Sequence, residues 1–131
     1  MFETVLRVYY EDTDAGGIVY HSNYLNFMER CRCDWLMSLG YNVAELADQS
    51  HLAFIVKEVG LVYHHPATLF DELRVTARVL QVGKVKLELQ QEVYNGEKLL
   101  CSARLKLGVI DSQSSQVKVM PDELKHAIAS C

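Results

Sequence analysis

Residues Tyr10-Glu11-Asp12-Thr13-Asp14-Ala15-Gly16-Gly17-Ile18-Val19-Tyr20-His21 set three carboxylates and an imidazole around a pair of adjacent glycines. Carboxylates crowded on one loop shift each other's proton affinity, and one of them can be left poised as a general base or a nucleophile. Gly16 and Gly17 remove two side chains and let backbone N–H groups approach a ligand. A helix starting directly after the loop would aim its unpaired N–H groups and positive dipole end at the same spot. On its chemistry alone Asp14 also reads as a turn or capping aspartate, because Asp-rich loops often do no more than satisfy backbone donors.

The elements that must hold this loop can be read on either side of it. Leu6 to Tyr10 reads as a short strand feeding the loop. Downstream, Ser22 or Asn23 can cap a helix that carries Tyr24, Phe27, Met28, Cys31, Trp35 and Leu39 on one face, with Gly40 as its stop. Asn42 to Gln49 suggests a second, shorter helix. From Ala53 to Tyr63 the pattern changes to β-branched and aromatic residues, and further strands are expected over Glu72 to Val82, Lys84 to Tyr94 and Lys98 to Ile110. Val85, Leu87 and Leu89 alternate with Lys86, Glu88 and Gln90, as a sheet with one wet face requires, and Asn95-Gly96 signals a hairpin. Met120 to Ile128 reads as a short terminal helix with Pro121 near its start. One long helix and about five antiparallel strands make an α+β layer, with the helix covering one face of a curved sheet.

Val8 to Gly17, Val19-Tyr20-His21, Asn23-Tyr24 and Glu29-Arg30 together resemble the signature of the 4-hydroxybenzoyl-CoA thioesterase branch of the hotdog-fold superfamily. Within that branch they resemble the YbgC-like acyl-CoA thioesterases found near Tol-Pal genes, and strand order and length follow the branch to about Asp111. The resemblance implies a hotdog fold, subunits paired edge to edge as homodimers or homotetramers, and active sites at the dimer interface. It implies hydrolysis of an acyl-CoA to free acid and coenzyme A without a metal or redox cofactor. It places the catalytic carboxylate on Asp14 and makes the main-chain N–H near His21 the carbonyl polariser, so that His21 acts through its backbone or its imidazole. Attack by Asp14 on the carbonyl and deprotonation of water are both open, with the general base preferred. Gly17, Tyr20 and Tyr24 are the candidates for contact with the substrate around the loop, and Tyr20 and Tyr24 are alternatively core aromatics.

Coenzyme A needs cations for its phosphates, and Lys84 and Lys86 fall at the strand junction where related proteins place basic residues. Relatives commonly carry an arginine followed by small or hydroxyl residues there; lysine binds phosphate as a point charge without the bidentate fork. Exposed strand lysines are the alternative. Glu11 and Asp12 read as solvated or loop-holding residues, and Glu29 as a second carboxylate or a partner of Arg30 or Arg32. His64-His65 would point to opposite faces of a strand, so no joint metal site is expected. Cys31-Arg32-Cys33 lacks the Cys-x-x-Cys redox spacing and reads as core or surface thiols.

The 131 residues suit a single domain over 1–131, and a net charge of −4 argues against a general nucleic-acid binder without excluding an anionic ligand. Met1 to Val5 does not begin a basic and then apolar leader, and no run approaches a membrane span, so a cytoplasmic protein with reduced thiols is expected. Acyl-CoA, and on some readings acyl carrier protein, is the expected partner. The rival reading is a non-catalytic scaffold that binds acyl-CoA, acyl carrier protein or an envelope-associated partner; a hotdog dehydratase or hydratase is a third.

Overall fold

A computed structural model describes residues 1–131. Strand β1 (Phe2–Arg7) leads through a 3-10 turn (Tyr10–Asp12) and the acidic loop into helix α1 (Asn23–Ser38). Helix α2 (Val43–Gln49), strands β2 (Leu52–Tyr63), β3 (Glu72–Val82), β4 (Lys86–Asn95) and β5 (Lys98–Asp111), and helix α3 (Asp122–Ala129) follow. The five strands form one antiparallel sheet in the order β1-β3-β4-β5-β2. No helix is long and apolar enough to cross a membrane.

α1 forms where the periodicity places it. Tyr24, Phe27, Met28, Cys31 and Trp35 are buried, Leu39 is half-buried, and Gly40 ends the helix at φ +92°. The buried face of α1 divides two apolar clusters. Its first half packs with Val8, Leu73, Val75, Val93 and Leu105, and its end packs with Leu46, Leu87, Leu107, Leu124 and Ile128. α3 closes that second cluster. Between them lies Gln91, fully buried, whose Nε2 donates to the Met28 carbonyl at 3.0 Å and to the Thr76 carbonyl at 3.3 Å. A buried amide needs such partners, and these tie helix to sheet.

Three boundaries differ from expectation. β1 spans Phe2–Arg7 rather than Leu6 to Tyr10, because pairing with β3 ends at Arg7↔Glu72 and the Asp12 carboxylate then captures the Tyr9 N–H at 2.9 Å. β4 begins at Lys86, since Gly83 N–H donates to the Lys86 carbonyl at 2.8 Å and leaves Lys84 and Val85 in the turn. Asn95 is the last residue of β4, paired with Lys98, so the hairpin loop is Gly96-Glu97 and Gly96 supplies the positive φ of +62°.

Candidate active site

The acidic loop is a small closed structure. Bridges between Thr13 and Val19 and between Ile18 and Thr68 close it on itself and pin it to the segment before β3. Asp12, the one buried acid, is its anchor: Oδ2 accepts the Tyr9 N–H at 2.9 Å, Oδ1 accepts Asn23 Nδ2 at 2.7 Å, and its carbonyl accepts the Tyr20 N–H at 2.9 Å. Asp14 is different. Its carboxylate is exposed, and Oδ1 accepts the Gly16 N–H at 2.8 Å while Oδ2 has no partner in the chain. Its backbone is held by Asp14 N–H to Ile18 carbonyl at 2.9 Å and Gly17 N–H to Asp14 carbonyl at 3.1 Å. One oxygen of the group is thus spent on the turn and the other is open.

Both glycines suit this geometry, Gly17 most strictly. A Cβ on Gly16 would sit 3.2 Å from Asp14 Oδ1, and Gly17 adopts φ +80°, which a side chain would strain. The side-chain cap expected on α1 is not formed. Ser22 occupies the N-cap position without a capping hydrogen bond, and Asn23 spends its side chain on Asp12 and on accepting from Asn26 Nδ2 at 2.7 Å. The N–H groups of His21 and Ser22 therefore have no partner within the chain.

Those two free donors are nevertheless fixed in direction. The peptide preceding His21 is planar, and its carbonyl, that of Tyr20, accepts the Asn23 N–H at 2.9 Å, so the His21 N–H points the other way. The next peptide is held by Tyr63, whose hydroxyl donates to the His21 carbonyl at 2.5 Å, and this fixes the Ser22 N–H. Desolvation first, and nearby Cys101 second, hold the Tyr63 hydroxyl above its ordinary pKa, so it stays a donor at neutral pH. Tyr63 was not visible as a site residue in the sequence. It ends β2, 42 positions from His21, and only the packing of β2 beside α1 joins them. Ile18, His21, Tyr24, Tyr63, His65 and Pro66 line a shallow, mainly apolar cleft of about 320 Å³ beside these donors.

The remaining candidates divide. The His21 imidazole is exposed and packs against Tyr20, itself 47% exposed, with ring centroids 4.4 Å apart. Tyr24 is a core residue whose hydroxyl accepts the Ala67 N–H at 3.1 Å; burial raises its pKa, and it reaches the cleft only as part of the wall. Lys84 and Lys86 are not brought to the loop within one chain. Eleven residues of β3 separate the loop end of the sheet from the β3–β4 turn, a distance of roughly 30 Å. Lys86 instead joins Lys57 and Lys106 around a cleft on the outer face of the sheet. Glu29 makes no salt bridge with Arg30 or Arg32 and lies at a second cavity described below. All four cysteines are free thiols, with Cys31 and Cys101 buried.

The loop, the sheet and the uncapped helix can be compared with known proteins. The chain is 36% identical over 126 residues to the acyl-CoA thioesterase YbgC of Haemophilus influenzae, covering 96% of this chain and 93% of that one. It is 32% identical to the acyl-CoA thioester hydrolase YbgC of Escherichia coli, over 95% of this chain and 92% of the relative. Among solved structures, a probable thioesterase from Bartonella henselae superposes with a TM-score of 0.87 at 29% identity, covering 91% and 98% of the two chains. The architecture is that of the hotdog thioesterases. With the family model of the thioesterase-like superfamily matching residues 8–128, almost the whole of the folded chain, this protein belongs to that superfamily.

Proposed function

We propose that the chain hydrolyses acyl-CoA thioesters to a free acid and coenzyme A, with Asp14 as the essential carboxylate. The observation that carries this is the pairing of a half-free, exposed carboxylate with an uncapped helix start whose N–H groups are aimed and unspent. An uncapped N-terminus ordinarily costs about 1 kcal/mol, so leaving these donors open is a departure that ligand binding would repay. The fold's kinship with acyl-CoA thioester hydrolases of H. influenzae and E. coli supports the same reading.

In this mechanism the thioester carbonyl oxygen lies against the His21 N–H at the start of α1, where the helix dipole favours the negative charge that develops on it. Asp14 Oδ2 takes a proton from water as the water attacks, and collapse of the tetrahedral adduct expels the coenzyme A thiolate. Alternatively Asp14 attacks directly, giving a mixed anhydride that water then opens. Repeated turnover in ¹⁸O-water separates the two: an anhydride opened by water at the Asp14 carbonyl leaves ¹⁸O in the Asp14 carboxylate, whereas the general-base route places it only in the product acid. The general base is the favoured form: it asks only that Oδ2 reach a water while Oδ1 stays on the Gly16 N–H.

Catalysis of this kind also needs a second copy. β2 is an edge strand of twelve residues whose Ile55, Val56, Val59, Val62 and Tyr63 are exposed, a surface that an isolated monomer rarely leaves open. Antiparallel pairing of two such edges would make a homodimer, from which a tetramer could assemble. It would also swing the β3–β4 turn of one copy toward the acidic loop of the other, which is the arrangement in which Lys84 and Lys86 would meet the coenzyme A phosphates. Release of coenzyme A from short, long and aromatic acyl-CoAs, read by a thiol-reactive dye, tests the reading. Turnover supports it, and tight acyl-CoA binding without turnover across the panel would favour the scaffold instead.

A further inference from the structure

A second apolar cavity lies away from the acidic loop. It lies between the second half of α1, α2 and the start of β2, has a volume of about 260 Å³, and is walled by Trp35, Leu36, Val43, Ala53, Phe54 and Leu107 among others. A cavity on the order of 150 Å³ already admits a benzene ring, so this one has room for an acyl group. Two of its lining residues are charged, Glu29 and Arg32.

Arg32 is anomalous. It is half-buried, it takes part in no salt bridge, and the one hydrogen bond of its guanidinium goes from Nη1 to Oε1 of the fully buried Gln91 at 2.9 Å. Gln91 is in turn fixed by the Met28 and Thr76 carbonyls, which sets its Oε1 toward the arginine. A desolvated guanidinium is costly unless its donors are used, and four of its five N–H groups remain unused within the chain. Glu29, one turn earlier on α1, is the nearest carboxylate to favour its charge but stands outside salt-bridge reach. An apolar chamber with one rigidly supported cation in its wall is built for a ligand that is mostly hydrocarbon and carries an acceptor oxygen.

The topology says how the chamber could meet the chemistry. α1 runs antiparallel to β2: its first turn meets Tyr63 at the end of that strand, and its second half meets Ala53 and Phe54 at the beginning. Eight strand residues separate Phe54 from Tyr63, roughly 25–30 Å along β2, while Arg32 lies nine residues, about 14 Å, along α1 from its start at Asn23. Antiparallel pairing of two β2 edges sets the Tyr63 end of one copy against the Leu52 end of the other. The chamber of one subunit then lies beside the acidic loop of its neighbour.

We infer that this chamber receives the acyl group of the substrate and that Arg32 selects acyl groups bearing a hydroxyl or carboxylate oxygen at the end remote from the thioester. The inference rests on the thioesterase reading above and adds the substrate class to it. Gln91 is the positioning residue, since it orients Arg32 without facing the chamber opening. A charge-assisted hydrogen bond of this kind corresponds to a preference on the order of tenfold or more for the oxygenated acyl group over its plain counterpart.

The test compares hexanoyl-CoA with 6-hydroxyhexanoyl-CoA and adipoyl-CoA, using wild type, Arg32→Met and Arg32→Lys, with kcat and KM measured separately and the oligomeric state checked by light scattering. The wild type should prefer at least one oxygenated substrate, and Arg32→Met should erase that preference while keeping turnover of hexanoyl-CoA. The hydroxyl and carboxylate arms show which oxygen is read; Arg32→Lys should retain part of the carboxylate preference and less of the hydroxyl one. Equal kcat/KM for all three substrates in wild type, or an Arg32→Met variant that dissociates the oligomer with selectivity unchanged, overturns the inference. Binding of the matching non-hydrolysable thioethers, followed by fluorescence of the single tryptophan, Trp35, in the chamber wall, separates this from failure of the thioesterase reading. If no thioester is turned over but the oxygenated thioether binds more tightly through Arg32, the chamber stands and hydrolysis falls. If the thioesters are hydrolysed and the thioethers bind alike, the reverse holds.

Discussion

At the scale of single residues, the acidic loop assigns different tasks to chemically identical groups. Asp12 and Asp14 are two positions apart, yet one is buried with both oxygens occupied and the other is exposed with one oxygen open. Asp12→Ala would strip the acceptor from Tyr9 N–H and Asn23 Nδ2, and removing charge-assisted bonds of this kind costs about 2–4 kcal/mol. The expected result is a clear drop in the denaturation midpoint together with lost activity, whereas Asp14→Asn should leave the midpoint nearly unchanged. Gly16→Ala tests the positioning of Asp14 by itself. The added methyl meets Oδ1 at 3.2 Å, and kcat should fall about tenfold with the fold intact. A Gly16→Ala enzyme with unaltered kcat would mean that the Asp14 to Gly16 contact plays no part in turnover.

At the scale of elements, the start of α1 and the end of β2 act as one unit. Tyr63→Phe removes only the hydroxyl that holds the His21 carbonyl, so it should lower kcat by about tenfold, leave KM largely unchanged and shift stability by about 1 kcal/mol. This unit also shows where sequence reading succeeds and where it stops. The helix face from Tyr24 to Trp35 and the alternation through β4 follow from local periodicity, and both are found as expected. The loop around Asp14 and the two glycines is legible as a candidate site because its residues are contiguous in the chain. Tyr63, Gln91 and the opposite placement of Lys84 and Lys86 are not, because each depends on which strands become neighbours. Ser22 and Asn23 mislead for a related reason: local capping preference is overridden when Asp12, eleven positions earlier, claims the Asn23 side chain.

At the scale of the whole molecule, the exposed β2 edge and the apolar core make separate demands. Val59→Lys, a charge placed in the middle of the exposed edge, should shift the oligomer to monomer in analytical ultracentrifugation and abolish turnover without unfolding the chain. A monomer that keeps full activity would contradict a site shared between copies. The core in turn makes the fold sensitive to alkali. Burial pushes the Cys31 thiol up to about 11 and the Cys101 thiol up to about 12, from an ordinary 9.0. Their stabilising effect is complete below 9.0, where both states hold the proton, and is lost as pH rises toward the folded values because only the unfolded chain ionises. Each thiol should therefore steepen the loss by about 1.4 kcal/mol per pH unit, and Cys101→Ala should flatten the stability profile above 9.0 relative to wild type. Denaturant titrations of the two proteins across that range check it, and parallel profiles would count against the buried-thiol account. The central claim, that the exposed Asp14 carboxylate performs the hydrolysis, is tested most directly by coenzyme A release from acyl-CoA in wild type and in Asp14→Asn, the two matched for oligomeric state and denaturation midpoint. The account predicts that wild type turns over and that Asp14→Asn loses at least about 100-fold in kcat; turnover by Asp14→Asn at the wild-type rate would contradict it.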